Sequence, residues 1–180
     1  MVWLNSMTAK MDIRYKRLCP CASAPFRAHG GDAGYDLAAV SRHIDADGSM
    51  VYGTGLAVEI PRGYVGLLFP RSSLSHNDLT VANAVGVIDS GYRGEVTVKF
   101  RPSYSFSDMM NERYAFSEVG GNTHRVYEVG ERCCQLVILR LPEVEFVESD
   151  ELGDGDRKDN GYGSSGRWGL QHRDFDRQYD

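Results

Sequence analysis

The sequence predicts an all-β protein with a jelly-roll-like subunit, and three observations support this prediction. Apolar runs between residues 51 and 69 are short and are separated by glycine and proline. That stretch has no evident 3.6-residue hydrophobic period, whereas Val96, Val98 and Phe100 alternate with other residues. With 180 residues, 42% of them hydrophobic, the chain is long enough to bury one core. Short strands with closely spaced turn residues are typical of sandwiches and jelly rolls.

Local patterns predict the first elements along the chain. Residues 12–18 alternate enough for one strand. The two prolines that follow favour an irregular segment, because proline donates no hydrogen bond to a sheet. A short helix is expected in residues 70–74, with Ser72 or Ser73 as its N-cap. His76 follows, and we assign it no role.

Residues 83–96 are predicted to form a β-hairpin around which the rest of the chain is organised. Gly91, with Gly94 as a second candidate, would supply the bend. Asp89 places a carboxylate at the mouth of this hairpin, and Tyr92 places a large flat ring beside it. Taken alone, Asp-Ser-Gly also fits an Asx-type turn followed by an exposed aromatic, so these residues by themselves leave a structural role open.

The charge balance and the hydropathy exclude some functions. A formal net charge of −5 argues against a nucleic-acid-binding protein, which normally has a basic surface. A polyphosphate ligand is compatible with this charge, because it needs only a few local arginines. No apolar run approaches the length of a membrane span, and the first residues lack the features of a signal peptide. We therefore expect a cytoplasmic protein (in the host cytoplasm if the chain is viral) with no membrane partner and no stable nucleic-acid partner.

The four cysteines occur as Cys19-Pro20-Cys21 and as the adjacent pair Cys133-Cys134. Neither spacing matches a structural zinc site, and nothing indicates a secreted disulfide framework. We therefore expect reduced, mostly buried thiols that pack as small hydrophobic side chains.

Composition divides the chain into a domain and a tail. We expect a β domain over residues 11–147, with an insertion at about 101–125 that decorates the surface and lies outside the chemistry. From residue 148 acidic residues and glycines dominate, which indicates a solvated, mobile arm through residue 166. Residues 167–180 form an extra tail to which we assign no role.

Five short segments stand out along the chain. The longest is Asn-Ala-Val-Gly-Val-Ile-Asp-Ser-Gly-Tyr-Arg-Gly-Glu-Val, which occupies residues 83–96. The others are Ala-Gly-Tyr-Asp-Leu at 33–37, Pro-Arg-Ser-Ser-Leu at 70–74, Gly-Glu-Arg-Cys-Cys-Gln-Leu at 130–136 and Gly-Tyr-Gly-Ser-Ser-Gly at 161–166. In this order they resemble the five signature motifs of the trimeric dUTP pyrophosphatases (dUTPases). One motif would be weak evidence, but five in order, covering roughly residues 11–166, are specific.

The resemblance implies hydrolysis of dUTP to dUMP and pyrophosphate, which limits uracil incorporation into DNA and supplies dUMP for dTMP synthesis. It assigns Asp89 as the general base that orients the attacking water. It places Tyr92 against the sugar, where a ribose 2′-hydroxyl would otherwise lie. Mg²⁺ is the implied cofactor, bound to the triphosphate, and Asp36 would help to hold it through its water shell.

The resemblance also assigns residues that bind the substrate. An amide side chain and hairpin backbone groups would recognise the edge of uracil: Asn83, Gly86, Val87 and Ile88. Residues of the second and fourth motifs would contact the triphosphate: Arg71, Ser72, Ser73 and Gln135. The arm would supply a phosphate-binding arginine, an aromatic that stacks on the base, and hydroxyls for the terminal phosphate: Arg157, Tyr162, Gly163, Ser164 and Ser165. The family normally has Phe at the aromatic position.

The implied assembly is a homotrimer of jelly-roll-like β-clip subunits. Each of its three active sites would lie at a subunit interface, and the C-terminal arm of one subunit would close over a neighbour's site. Arg132 is expected to be a structural partner at a subunit contact.

Two alternatives stay open from the sequence. dCTP deaminases share the fold and have similar Arg-Ser-Ser and Ile-Asp-x-Gly segments, but a glutamate on the strand after the hairpin transfers their protons. The matching position here is Lys99, which cannot serve in that way, and Tyr92-Arg93-Gly94 also favours a dUTPase. The second alternative is a protein of this fold that engages a partner through the insertion or the tail. The intact catalytic and phosphate-binding positions argue against lost activity, although a binding role could coexist with catalysis.

Overall fold

Nine β-strands and one short 3₁₀ helix supply the regular structure of the computed structural model, which describes residues 10–103 and 125–156. The strands are β1 (Arg14–Arg17), β2 (Tyr35–Ala38), β3 (Ser41–Ile44), β4 (Met50–Glu59), β5 (Tyr64–Pro70), β6 (Leu79–Val81), β7 (Gly86–Ile88), β8 (Glu95–Pro102) and β9 (Arg132–Arg140). The 3₁₀ helix spans Ser72–His76. Within the described ranges no helix is long and apolar enough to cross a membrane. The predicted all-β class is confirmed.

The strands pair in antiparallel fashion and form two sheets. In the first sheet the order is β1-β4-β8-β6, and β3 pairs with the N-terminal half of β4. In the second sheet the order is β2-β9-β5-β7. The long pairing between β5 and β9, from Tyr64 opposite Arg140 to Pro70 opposite Cys134, forms the centre of this sheet. All nine strands belong to the first of two compact units, Met1–Glu143 and Val144–Asp180.

One hydrophobic cluster joins the two sheets. Tyr52 and Phe100 from the first sheet, and Leu37 and Leu136 from the second, belong to it and are at most 4% exposed. The rings of Tyr52 and Phe100 meet edge to face with their centroids 5.6 Å apart. Along β8 buried residues alternate with more exposed ones, as the hydrophobic pattern predicted. Burial of each large apolar side chain contributes about 1.5–3 kcal/mol, so this cluster holds the two sheets together.

Strand β4 corrects the prediction that glycine separates short strands between residues 51 and 69. It runs without a break for ten residues, through Gly53 and Gly55. A Cβ at Gly53 would lie 2.6 Å from Glu95 Oε1 and 2.5 Å from Ser41 Oγ. Gly55 has a φ of +65° and lies where the register with β8 shifts. These glycines admit neighbouring side chains and a bulge, and they do not end the strand.

The prediction of a hairpin over residues 83–96 is wrong in its pairing. β7 pairs with β5, with Leu67 opposite Val87, whereas β8 pairs with β4 and β6 in the other sheet. Residues 89–94 therefore connect the two sheets. An alternating pattern predicts which face of a strand is buried, but it does not predict which strand pairs with it.

Cys19 and Cys21 form a disulfide, which contradicts the expectation of reduced thiols. A turn, closed by a 3.2 Å hydrogen bond from the Ala22 N–H to the Cys19 carbonyl, accompanies a Cα–Cα distance of 5.3 Å between the two cysteines. That distance is within the range that a disulfide requires. The other pair, Cys133 and Cys134, consists of buried free thiols, as expected.

The second compact unit has no strand in its described residues, 144–156. Its apolar side chains are largely exposed, at 70% for Val144, 99% for Phe146 and 80% for Val147. The predicted arm begins within this unit, but Arg157 and the motif at residues 161–166 lie outside the described residues. The predicted mobility of that motif therefore stays a prediction.

Candidate active site

A cavity of about 200 Å³ lies beside the segment that connects β7 to β8. Six residues that the sequence assigns to the substrate or the chemistry line it: Asn83, Gly86, Val87, Ile88, Asp89 and Tyr92. Its other lining residues are Leu68, Glu95, Val96 and Thr97. The structure therefore brings the predicted base-binding, sugar-packing and catalytic groups together at one place.

A strained turn before β7 places Asn83 at this cavity. Ala84 has a φ of +58°, which is uncommon for a residue with a side chain, and the Val85 N–H donates to the Asn83 carbonyl at 2.6 Å. Strained backbone of this kind clusters at functional sites. Gly86 comes next and lies opposite Leu68 of β5, where an added Cβ would be 3.1 Å from the Leu68 Cβ. Glycine therefore lets the cavity wall pack tightly against β5.

A tight turn places Asp89 beside Tyr92. The Tyr92 N–H donates to the Asp89 carbonyl at 3.0 Å, and the Tyr92 hydroxyl donates to the Glu95 carbonyl at 2.9 Å. The ring lies against Gly94, where an ideal Cβ would be 2.5 Å from Tyr92 Oη and 2.7 Å from its Cζ. Asp89 is exposed, and its carboxylate accepts no hydrogen bond from the residues that the structure describes. That carboxylate is therefore open to water or to a ligand.

Glu95 lines the same cavity, although no role was predicted for it from the sequence. Its Oε1 accepts a hydrogen bond from the Gly55 N–H at 2.7 Å, and the missing side chain of Gly53 leaves room for it. The carboxylate therefore links β8 to β4 at the edge of the cavity. Glu95 directly follows Tyr92-Arg93-Gly94, and this position in the sequence could have indicated that it lies near the cavity.

Arg71, in the Pro-Arg-Ser-Ser-Leu segment, is held by three acceptors. Its Nε donates to Asp36 Oδ1 at 2.8 Å, and its Nη1 donates to the Arg132 carbonyl at 3.0 Å and to Ser73 Oγ at 3.4 Å. The predicted short helix is present as the 3₁₀ helix, but its N-cap is Arg71 without a side-chain cap hydrogen bond. The predicted Ser72 or Ser73 cap is therefore wrong, because the Ser73 hydroxyl bonds to side chains instead of the helix backbone.

A second cavity, of about 300 Å³, lies beside this segment. Three of its lining residues are arginines, and clustered guanidinium groups suit phosphate oxygens. No role was predicted from the sequence for His76, Arg125 or Tyr127, because only folding brings residues 125–132 next to the 3₁₀ helix. The residues that line it are Arg71, Ser73, His76, Asn77, Arg125, Tyr127, Gly130, Glu131 and Arg132.

Gln135 lies in β9, opposite Asp36 of β2 and Phe69 of β5. Its Nε2 donates to the Pro70 carbonyl at 2.9 Å. Its Oε1 lies only 2.6 Å from where a Cβ at Gly34 would be, so a side chain at residue 34 would require the end of Gln135 to shift. Gln135 is therefore placed between the first and second motifs, and its predicted contact with a phosphate stays a prediction.

Asp36, the residue predicted to help hold Mg²⁺, faces two guanidinium groups. Its Oδ1 lies 2.8 Å from Arg71 Nε and its Oδ2 lies 3.2 Å from Arg132 Nη1, and its side chain is 19% exposed. In the part of the chain that the structure describes, no group of three His, Cys, Asp or Glu side chains could hold a metal ion. Both Asp36 oxygens are therefore engaged by arginines, and the predicted role of Asp36 near the water shell of Mg²⁺ stays a prediction.

Other predicted groups are not brought together in a single chain. No residue lines both cavities, so the base-binding residues line one cavity and the three arginines line the other. The predicted arm residues lie outside the described residues: Arg157, Tyr162, Gly163, Ser164 and Ser165.

The chain is similar to proteins of one family. The family model described as dUTPase matches residues 21–105. A deoxyuridine 5′-triphosphate nucleotidohydrolase of Corynebacterium efficiens is 39% identical over 157 residues, which cover 86% of this chain and 78% of that protein. The protein of the same name from Corynebacterium glutamicum is 39% identical over 163 residues, which cover 89% of this chain and 99% of that protein.

Solved structures show the same similarity. A mutant of the Staphylococcus bacteriophage 80alpha dUTPase with dUpNHpp has a TM-score of 0.71 and 29% identity, over 88% of this chain and all of that chain. A mutant dUTPase from phage phi11 of S. aureus, whose structure reveals the coordination of a structural Mg(II) ion, has a TM-score of 0.63 and 28% identity, over 78% of this chain and 98% of that chain. With these relatives and the conserved fold, the chain belongs to the dUTPase family.

Proposed function

We propose that this chain is a Mg²⁺-dependent dUTP diphosphatase, which cleaves dUTP between the α- and β-phosphates to give dUMP and pyrophosphate. The cavity of about 200 Å³ carries the proposal, because Asp89 and Tyr92 line it together with the predicted base-binding residues. The relatives named deoxyuridine 5′-triphosphate nucleotidohydrolase support the same reaction. In the cell this activity would limit uracil incorporation into DNA and supply dUMP.

Asp89 acts in this proposal as the general base. Its exposed carboxylate would accept a proton from the water that attacks the α-phosphorus in line with the leaving pyrophosphate. Two electrons from the water oxygen form the new P–O bond, and those of the broken P–O bond leave with pyrophosphate. Mg²⁺ would neutralise the triphosphate and fix its conformation, with Asp36 near its water shell.

Selectivity would come from the walls of the cavity. The Asn83 amide and backbone groups of Gly86, Val87 and Ile88 would pair with the edge of uracil, and an amino group at the position of O4 would leave buried groups unpaired. Because the pocket would be narrow, it would exclude the methyl group of thymine. The Tyr92 ring would occupy the space that a ribose 2′-hydroxyl needs.

The triphosphate would be bound by Arg71, Ser72, Ser73 and Gln135. In support, Arg71 lies among the three arginines that line the cavity of about 300 Å³. The arm residues would add Arg157 and the two serines at 164 and 165 on the phosphates, and Tyr162 on the base.

We further propose that the active enzyme is a cytoplasmic homotrimer with each site at a subunit interface. Two features of the single chain support this assembly. Its base-binding and phosphate-binding groups line separate cavities, and Val144, Phe146 and Val147 expose 70–99% of their surface, which a second copy could cover.

One experiment tests the proposed reaction. Pyrophosphate release should be measured in parallel with dUTP, dCTP, dTTP and UTP in the presence of Mg²⁺, and we expect release from dUTP alone at a high rate. Ammonia release from dCTP would instead support a deaminase. That alternative is disfavoured because Lys99 Nζ bonds Asp45 and Asp47, at 2.7 and 3.1 Å, and does not line the cavity with Asp89.

A further inference from the structure

The buried hydroxyl of Tyr127 reaches the predicted phosphate-binding segment from the core. Its Oη lies 3.1 Å from Ser73 Oγ, and both residues line the cavity of about 300 Å³ that contains Arg71. Tyr127 is only 3% exposed, so its hydroxyl is not a surface group that touches a serine by chance.

The rest of the Tyr127 residue is rigidly held. Its ring packs against those of Tyr52 and Phe100, with centroids 6.2 and 5.7 Å away. Its carbonyl accepts hydrogen bonds from the Tyr52 hydroxyl and from Arg42 Nη1, both at 3.0 Å. The position of the Tyr127 hydroxyl is therefore fixed by the hydrophobic core.

The direction of the hydrogen bond between Tyr127 and Ser73 decides where the Ser73 proton points, because either hydroxyl can donate. A serine hydroxyl has one proton and two acceptor positions, and Arg71 Nη1, which can only donate, takes one acceptor position at 3.4 Å. If Tyr127 donates to the second, the Ser73 proton faces neither neighbour and is directed to the cavity. Burial raises the pKa of Tyr127, so this phenol keeps the proton that it needs in order to donate.

We propose that Tyr127 is a positioning residue that donates to Ser73 Oγ and so directs the Ser73 O–H toward the phosphate oxygens of the substrate. This inference rests on the proposed function, because it takes the triphosphate as the ligand of Ser73. The backbone of Ser73 is held independently, by Asn77 Nδ2 on its carbonyl at 2.9 Å. Loss of the phenol hydroxyl should therefore reorient the serine proton without moving the segment.

The test compares two Tyr→Phe variants of the same core. Tyr127→Phe keeps the ring and removes the bond to Ser73. Tyr52→Phe removes a buried phenol that bonds the Tyr127 carbonyl and does not touch Ser73, and Arg42 Nη1 still holds that carbonyl in this variant. Calorimetry with dUpNHpp and Mg²⁺ should show roughly 2- to 13-fold weaker binding for Tyr127→Phe, the range that one hydrogen bond supplies. Deoxyuridine, titrated by NMR, should bind Tyr127→Phe and the wild type equally, and Tyr52→Phe should bind both ligands as the wild type does.

A double-mutant cycle then asks whether Tyr127 acts through Ser73. In a Ser73→Ala background, Tyr127→Phe should cause no further loss of dUpNHpp affinity. Additive losses, an unchanged affinity in Tyr127→Phe, or equal losses in Tyr127→Phe and Tyr52→Phe would each overturn the inference. If the wild type neither binds dUpNHpp nor releases pyrophosphate from dUTP, the proposed function is wrong, and this inference, which depends on it, is wrong as well. If the wild type does both, only the role of Tyr127 is at issue.

Discussion

Asp36 and Arg71, which are 35 residues apart in the sequence, form an ion pair with 2.8 Å between Oδ1 and Nε. The pair joins β2 to the end of β5 and so connects the first predicted motif to the second. Both side chains are mostly buried, at 19% and 24% exposure, which limits the screening of the pair by solvent. The second oxygen of Asp36 bonds Arg132 at 3.2 Å, so one carboxylate orients two cations.

Asp36→Asn should therefore weaken both the fold and the binding of substrate. It removes the charge that compensates two guanidinium groups, and hydrogen bonds to charged groups typically contribute about 1.5–3 kcal/mol. We expect the free energy of unfolding in urea to fall by about that amount, measured at fixed protein concentration, and KM for dUTP to rise. Asp32→Asn is the matched control and should change little, because among the residues that the structure describes that exposed carboxylate contacts only the exposed His29. Equal stability of both variants would show that the Asp36 pair contributes nothing.

Asp89→Asn should separate binding from turnover. The amide keeps the size and the polarity of the side chain but cannot accept the proton of the attacking water. We expect dUpNHpp with Mg²⁺ to bind within a few-fold of the wild type, while kcat for dUTP falls by roughly 10²–10⁴-fold. A variant with near-normal kcat would remove Asp89 from the role of base.

Gly94→Ala should move the Tyr92 ring without changing Tyr92 itself. An ideal Cβ at residue 94 would lie 2.5 Å from Tyr92 Oη, too close for the ring to stay in place. We expect the preference for dUTP over UTP, measured as the ratio of kcat/KM values, to decrease, as it should in Tyr92→Ala. The control is Gly91→Ala, where an added Cβ meets nothing within 4 Å and the backbone does not have a positive φ. If the preference is unchanged in Gly94→Ala and Tyr92→Ala while stability falls, Tyr92 has only a structural role.

The same residues show how far the sequence could predict this molecule. The cavity residues Asn83 to Tyr92 could be predicted because they are contiguous and belong to a specific motif. The pairing of β7 could not, since its alternating pattern fits either sheet. The glycine at residue 53 suggested a break between strands, but the strand continues through it. Its lack of a side chain leaves room for Glu95, which is 42 residues later in the chain.

Contacts between distant segments account for the other differences. Tyr127 reaches Ser73 across 54 residues, and no local pattern marks such a contact. The Cys19–Cys21 disulfide depends on a turn that brings the two Cα atoms within 5.3 Å, which the spacing alone does not fix. The sequence could thus predict which residues line the cavity beside β7 better than it could predict which neighbours hold them.

Replacement of residues 103–122 by a short Gly/Ser turn should leave catalysis intact. Asp78 holds the chain on both sides of this stretch. The Ser103 N–H donates to the Asp78 carbonyl and the Arg125 N–H donates to Asp78 Oδ2, each at 2.8 Å. The ends are therefore already close, and loop length itself has a small effect on stability. We expect kcat for dUTP within a few-fold of the wild type. Loss of activity in an intact trimer, as judged by light scattering, would show that the insertion reaches the site.

Deletion of the chain from residue 155 onward should separate assembly from catalysis. All nine strands precede this point, so we expect the truncated chain to fold and to form a trimer. It lacks Arg157, Tyr162, Ser164 and Ser165, the predicted groups for the phosphates and the base. Closure of these groups over bound substrate would expel water from the reacting phosphate. We therefore expect a severe loss of kcat/KM for dUTP while the trimer persists in light scattering.

The same closure should be visible in the full-length protein without any mutation. Trp168 lies six residues beyond Tyr162, whereas Trp3 is remote in the sequence. Addition of dUpNHpp with Mg²⁺ should change the Trp168 fluorescence, with Trp3→Phe as the control that assigns the signal, and should protect residues 153–166 from proteolysis. Deoxyuridine lacks the phosphates that Arg157 and the serines would bind, so it should give neither effect. A truncated chain that hydrolyses dUTP at the full-length rate would show that the arm is a passive linker, and the fluorescence change would then have to come from another contact.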